Sequence, residues 1–379
     1  MLLGKAILMP FLTACQRFPM SNFASHLHAI LADSPAGRLD FARVMDLALY
    51  HPELGYYGPG PRRIGRSGDF FTAVSVGPLY GRLLAVLAGQ VHRELGEPAD
   101  FLVIEQAAHD GQLAADLLEV GAFNLCLVEP NPRYEVVQRE RLAAHAGRVR
   151  WVSQLADLPE VPALFVCNEL PDAMPVQLLR WVQGAWRQLL VEINPAGGFC
   201  LVPAAIEDPR LAAEAERLPR DLAEGHTLEV GLAALDWLQA LAQAPFYGRV
   251  WVADYGLDAE ERHASQRAAG SLRRYRDHQC DERVLEDLGD CDLTAHVDFS
   301  RLREQATACG FAERGYEHQG RRLGRLAVDW LRSLEGRPPD AATSALLRQY
   351  QSLTHPAFLG RSFRVLELDK PKRAAATES

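Results

Sequence analysis

Lysine is almost missing from this 379-residue chain: only Lys5, Lys370 and Lys372 occur. Arginine carries the rest of the positive charge, which we read as genome composition rather than function. The net charge is −9. That balance does not suit a phosphate backbone, so no nucleic-acid partner is expected. No apolar run reaches the ~18 residues of a membrane span, so no membrane partner is expected either. There is no CxxC pair and no metal-like cluster. The seven cysteines stand at 15, 126, 167, 200, 280, 291 and 309. An odd number without a pairing pattern argues against a disulfide framework. Cys126 and Cys167 sit inside apolar, strand-like runs. Buried thiols fit a reducing compartment, and a cytoplasmic location follows as the expectation. No internal repeat is present.

What the chain does have is hydrophobic content, 48% of residues, enough for a sizeable core. Its organising stretch is 101–131, FLVIEQAAHDGQLAADLLEVGAFNLCLVEPN. Residues 101–105 are a short apolar run fit for a buried parallel strand. A small-residue turn follows at 106–111. Leu113, Ala114, Leu117 and Leu118 then fall at helical spacing. A second apolar run, 125–128, ends in Glu129. Strand, turn, helix, strand and a closing acid is the pattern that holds a nucleoside, the carboxylate accepting from a ribose diol. The alternative is a plain βαβ packing unit. Cofactor turns favour glycine because backbone must approach the ligand, and here Gly111 is the glycine that remains. Ala107 and Ala108 are small enough for close approach.

Along the chain, residues 1–20 are read as an extension. Leu12, Thr13, Ala14 and Cys15 resemble a lipoprotein cleavage box, but an over-long start before Met20 is the preferred reading. Residues 21–95 form a helical and loop region covering a cofactor pocket. Within it, 21–50 look helical and 51–72 form a glycine- and aromatic-rich loop. Residues 96–370 form the main domain. Its apolar runs at 149–152, 164–167 and 250–252 add to the first two, and five such runs separated by helical stretches argue for a doubly wound α/β sheet. An insertion at about 176–245 starts as antiparallel strands over 176–203, then turns helical over 209–244. Such an edge hairpin would suit a homodimer. Residues 371–379 read as a disordered tail.

Several stretches together resemble the MidA-like S-adenosylmethionine-dependent methyltransferases, which include a mitochondrial complex I assembly factor that methylates an arginine. They are MDLALYHPELGYY at 45–57, GDFFT at 68–72, Glu129-Pro130, Asn168-Glu169 with DAMP at 172–175, and Asp254-Tyr255-Gly256. GSLRRYRDH at 270–278 and DLTAHVDF at 292–299 complete the set. The family has Gly-x-Gly-x-Gly after its first strand, whereas Ala107 and His109 occupy the first two glycine positions here. The resemblance implies a Rossmann-like class I methyltransferase sheet with helices on both faces, plus an inserted β-hairpin and helical region. It implies S-adenosyl-L-methionine as cofactor and no metal. Gly68, Asp69, Thr72, Glu105, Ala107, Ala108, Gly111 and Glu129 become its candidate contacts, with Gln154 and Leu155 added by position after the third strand. Glu169 and Asp172, aided by Asn168, become a carboxylate clamp for a cationic acceptor, because carboxylates hold a guanidinium in a bidentate way. The implied function is methylation of a protein arginine, with a respiratory-complex subunit as one class of acceptor. The rival is a degenerate relative that binds a partner but transfers nothing.

Overall fold

The computed structural model describes residues 22–61, 72–276, 279–336 and 338–372. Seven strands form the main path of an eight-stranded central sheet: β1 (Leu102–Gln106), β2 (Asn124–Val128), β3 (Val149–Val152), β4 (Pro162–Asn168), β5 (Tyr247–Leu257), β6 (Ala312–His318) and β7 (Phe363–Lys370), and the short strand Val297–Asp298 pairs with β5 beside it. Their spatial order is β3-β2-β1-β4-β5-β7-β6. β1 to β5 run parallel. β7 is antiparallel to both neighbours, β5 and β6. Six helices matter below: α1 (Phe41–Tyr50), α2 (Leu79–Glu94), α3 (Gln112–Val120), α4 (Pro132–Arg141), α5 (Leu232–Gln243) and α6 (Phe299–Ala308).

Side chains alternate between the two faces of each strand. Val103, Leu164, Val166 and Trp251 pack on one face with Leu83, Leu84 and Leu87 of α2 and Leu113 and Leu117 of α3. Ile104, Phe165, Val250 and Val252 pack on the other with Trp237 and Leu238 of α5 and Phe299 and Leu302 of α6. Both faces are covered, so these strands read as continuous apolar runs rather than alternating ones. At the start of α4, the Asn131 side chain accepts from the Arg133 N–H, and Pro132 takes a first-turn position where its missing N–H is harmless.

The antiparallel insertion is present as Gln177–Val182, Ala185–Ile193 and Phe199–Ala204. Two further strands join it. Arg38–Asp40 pairs with Ala185–Ile193, inside a stretch read as helical. Thr227–Val230 pairs with Gln177–Val182, and interrupts the helical reading of 209–244. All four residues of Thr227–Val230 are buried; pairing and burial there outweigh the helix-favouring composition around them. A separate core, including Phe23, Leu27, Met45, Leu189 and Leu293, joins this sheet to the N-terminal helices. Among the described residues, no helix is long and apolar enough to cross a membrane.

Candidate active site

The carboxyl ends of β1, β2, β4 and β5 open into one cavity of about 1780 Å³. Strand ends of this kind are where open α/β sheets place ligands. One end of the cavity is built by the turn between β1 and α3. Ala107 (φ 65°), His109 (φ 47°) and Gly111 (φ 82°) all take left-handed backbone. The turn therefore has the conformation of a glycine loop, with alanine and histidine at two of its three left-handed positions. A side chain there costs about 1–2 kcal/mol. Neighbours hold the strain in place. Gln138 Nε2 donates to His109 O at 2.8 Å, and Arg141 pairs with Asp110 at 2.5 Å. The His109 ring lies edge-on to Tyr134, with centroids 5.6 Å apart. It forms part of the wall and leaves the cavity open.

Glu129 follows β2 and is nearly buried. Its Oε1 accepts from Asn131 N at 2.9 Å and its Oε2 from Gln138 Nε2 at 2.8 Å. Both bonds fix the carboxylate against the cavity. Burial raises its pKa, while those same donors oppose the rise. Glu105, at the end of β1, has Oε2 buried with no hydrogen-bond partner among the described residues. Burial, then repulsion from Asp110 and Asp116, pushes it up to about 8. Ala107, Ala108 and Thr72 also line the cavity. Thr72 and Ser75 cap each other: each backbone N–H donates to the other's hydroxyl oxygen, at 2.9 and 3.0 Å. This set fits an adenosyl cofactor: small residues at the turn, an oriented carboxylate after β2 and an orphaned acceptor at the end of β1.

Gly111 stands behind the lining, where its φ shapes the turn. Gln154 and Leu155 stand apart and are dropped from the candidate set. Gln154 is exposed and donates to Asp157, while Leu155 packs in the core under β3. Gly68 and Asp69 lie outside the described residues, as does His278.

The other end of the cavity is acidic. Asn168, Glu169 and Asp172 meet there as expected. Glu169 also has left-handed backbone, φ 55°. Its Oε1 accepts from Asn168 Nδ2 at 2.8 Å and from Ala73 N at 3.3 Å, joining the loop after Thr72 to β4. Burial, then Asp172, pushes Glu169 up to about 8. Burial, then Asp292, pushes Asp172 to about 8 as well. Asp292 itself lines the cavity, with Tyr50, Tyr57, Tyr255 and Tyr275. The Tyr50 hydroxyl donates to Ala173 O at 2.8 Å and so pins the Asp172 turn to α1. These tyrosines and Asp292 fall within the motifs at 45–57, 254–256, 270–278 and 292–299, but nothing in their spacing announced a shared wall. Arg133 is the one lysine or arginine among the described lining residues, and it donates to Pro52 O and Gly58 O.

Basic residues and histidines within the motifs at 45–57, 270–278 and 292–299 find structural partners. Arg274 pairs with Asp281 and Asp287, Arg273 with Glu282, and Arg276 with Asp287. Arg273, Arg274 and Arg276 are therefore members of an ion-pair network. His51 Nδ1 accepts from the N–H groups of Glu53 and Leu54. His296 is pushed down to about 4, mainly by burial, and stacks on Tyr255 from behind the cavity.

A family model described as "Putative S-adenosyl-L-methionine-dependent methyltransferase" matches residues 83–317. A crystal structure from Burkholderia thailandensis, bound to S-adenosyl-homocysteine, superposes with a TM-score of 0.82 at 29% identity over 93% of both chains. Among curated proteins, "Protein arginine methyltransferase NDUFAF7, mitochondrial" of Danio rerio is 26% identical, covering 90% of this chain and 86% of its own. The mouse protein of that name is 28% identical, with 90% and 83% covered. These relatives overturn the cytoplasmic expectation, since they are named mitochondrial. Free thiols report a reducing environment and do not choose between compartments. Sheet order, cavity and family match agree: the chain belongs to the MidA-like family of S-adenosylmethionine-dependent methyltransferases, and S-adenosylmethionine is its cofactor.

Proposed function

We propose that this methyltransferase modifies an arginine side chain of a protein acceptor. One observation carries the reading: the buried carboxyl groups of Glu169 and Asp172 converge on one end of the cavity beside Asp292, and among the described residues neither Glu169 nor Asp172 pairs with a lysine or arginine. Buried carboxyl groups of this kind suit a cation that arrives with the substrate. A guanidinium offers five N–H donors in a planar fork that matches carboxylates. The curated relatives named as arginine methyltransferases support the same choice.

S-adenosylmethionine supplies an electrophilic methyl group. The chain's own residues bind and orient. Glu129 accepts from the ribose hydroxyls, Glu105 takes up a donor with its orphaned oxygen, and Thr72, Ala107, Ala108 and Gly111 shape the cradle. Glu169 and Asp172 hold the guanidinium, and Asn168 fixes the Glu169 carboxylate through its amide. Alignment of the attacking nitrogen then supplies much of the rate. Transfer obliges the guanidinium to shed one proton, and carboxyl groups titrating near neutrality are suited to take it. We further propose that 21–95 covers the cofactor, that a respiratory-complex subunit is the acceptor class, and that the 176–203 hairpin mediates a homodimer, testable by light scattering.

The deciding experiment incubates the protein with S-adenosylmethionine and peptides that differ only in arginine or lysine. Mass spectrometry should find methyl groups on arginine. Methylation confined to lysine, or to a small molecule, overturns the reading.

A further inference from the structure

The Asp172 turn and the end of β5 meet at a second buried acid, Asp254. It is fully buried, at 0% exposure, and is not part of the cavity wall. Its Oδ2 accepts from Asp172 N at 3.1 Å, and its Oδ1 from Tyr255 N at 2.7 Å. Asp172 and Tyr255 both line the acidic end of the cavity. The same turn is tied on its far side, where Ala295 N donates to Asp172 O at 2.9 Å. Glu169 N donates to Ala253 O at 2.9 Å, one residue before Asp254. Three cavity residues on two chain segments thus take their positions from β5 at 253–255.

A carboxyl group buried without a cation is costly to keep. Among the described residues, Asp254 has no ion pair with an arginine, lysine or histidine. Two converging backbone donors give a reason for its chemistry. Each N–H needs an acceptor, and a carboxyl group offers two oxygens. An asparagine fits the same space but offers one oxygen; its amide nitrogen would face an N–H donor. We propose that Asp254 is a positioning residue for the acceptor end, holding the Asp172 carboxyl and the Tyr255 ring in register without touching substrate. This deepens the arginine reading and rests on it.

The test compares wild type with Asp254→Asn, and with Asp254→Ser as a second variant that leaves room for a water. Three quantities are measured on the full chain: S-adenosylhomocysteine affinity by calorimetry, KM for an arginine peptide, and kcat. The expected result is cofactor affinity within about twofold of wild type and peptide KM raised by about tenfold, the scale of one buried hydrogen bond. A double cycle with Asp172→Asn should be non-additive, because Asp254 acts through Asp172. Wild-type peptide KM in both variants overturns the assignment. Equal losses of cofactor and peptide binding overturn it as well, since that is general disruption. A wild-type protein that binds S-adenosylhomocysteine yet methylates no arginine peptide overturns the arginine reading itself, a different failure.

Discussion

Gln138 Nε2 donates to Glu129 Oε2 at 2.8 Å, and Gln138 Oε1 accepts from Trp151 Nε1 at 3.0 Å. One amide on α4 thereby orients the carboxylate assigned to the ribose and is itself oriented by β3. It also reaches His109 O. Gln138→Leu keeps the volume and removes all three bonds. S-adenosylhomocysteine affinity should fall about tenfold, or about 1–1.5 kcal/mol. Calorimetry checks it; an unchanged affinity would mean Glu129 holds its place unaided.

Ala107→Gly should stabilise the protein. The strain of left-handed backbone, about 1–2 kcal/mol, is relieved, while the greater freedom of unfolded glycine costs about 0.5–1 kcal/mol. The expected gain is about 0.5–1 kcal/mol by urea unfolding. His109→Gly should gain less, because the contact with Tyr134 goes. Cofactor affinity should stay within about threefold in both, since the turn already has the shape glycine would give it.

The ligand-free protein should lose stability as the medium turns alkaline. Glu105 and Glu169 rise from 4.5 to about 8, and Asp172 from 3.8 to about 8. The folded state then holds protons that the unfolded state has released. The contribution is complete below about pH 4 and lost as pH rises through about 8. Asp110, lowered by His109 and Arg141, and Glu261, lowered by the Asp258 N–H and Arg364, act in the opposite sense at the acid end. The melting temperature should therefore peak at about pH 4–5 and fall from there toward alkaline pH. Glu169→Gln should flatten the alkaline side; an unaltered slope would mean Glu169 titrates normally.

The same groups set the pH dependence of turnover. A guanidinium is held by ionised carboxylates, so kcat/KM for the acceptor should rise with pH and level off above about 8. Glu169→Gln should lower kcat/KM by about 100-fold or more, with S-adenosylhomocysteine affinity nearly unchanged. Loss of cofactor binding instead would place Glu169 at the other end of the cavity.

Much of the fold is legible in the amino-acid sequence itself. The stretch 101–131 disclosed itself because a parallel strand buried on both faces has to be apolar throughout and a helix has to repeat near every fourth residue. Asn168, Glu169 and Asp172 were named through the family resemblance, and the fold brings all three to the cavity wall; the clamp itself is our proposal. Thr227–Val230 was hidden because a short edge strand inside alanine- and leucine-rich sequence is specified by its partner, not by itself. Gln154 and Leu155 were placed by analogy with other sheets, and here the chain after β3 turns inward to bury Leu155. The tyrosine wall was invisible because Tyr50, Tyr57, Tyr255 and Tyr275 come from distant segments, and rings alone carry no mark of a common neighbour.

β7 lies between β5 and β6, yet it is the last strand in the chain. During synthesis, β5 and β6 leave the ribosome with a strand-wide gap between them. They have no closed sheet until residues 363–370 arrive. Until then, their unpaired backbone edges are exposed to any passing strand. A stalled or C-terminally clipped chain would contain every residue of the cavity wall and still be an aggregation hazard rather than an enzyme.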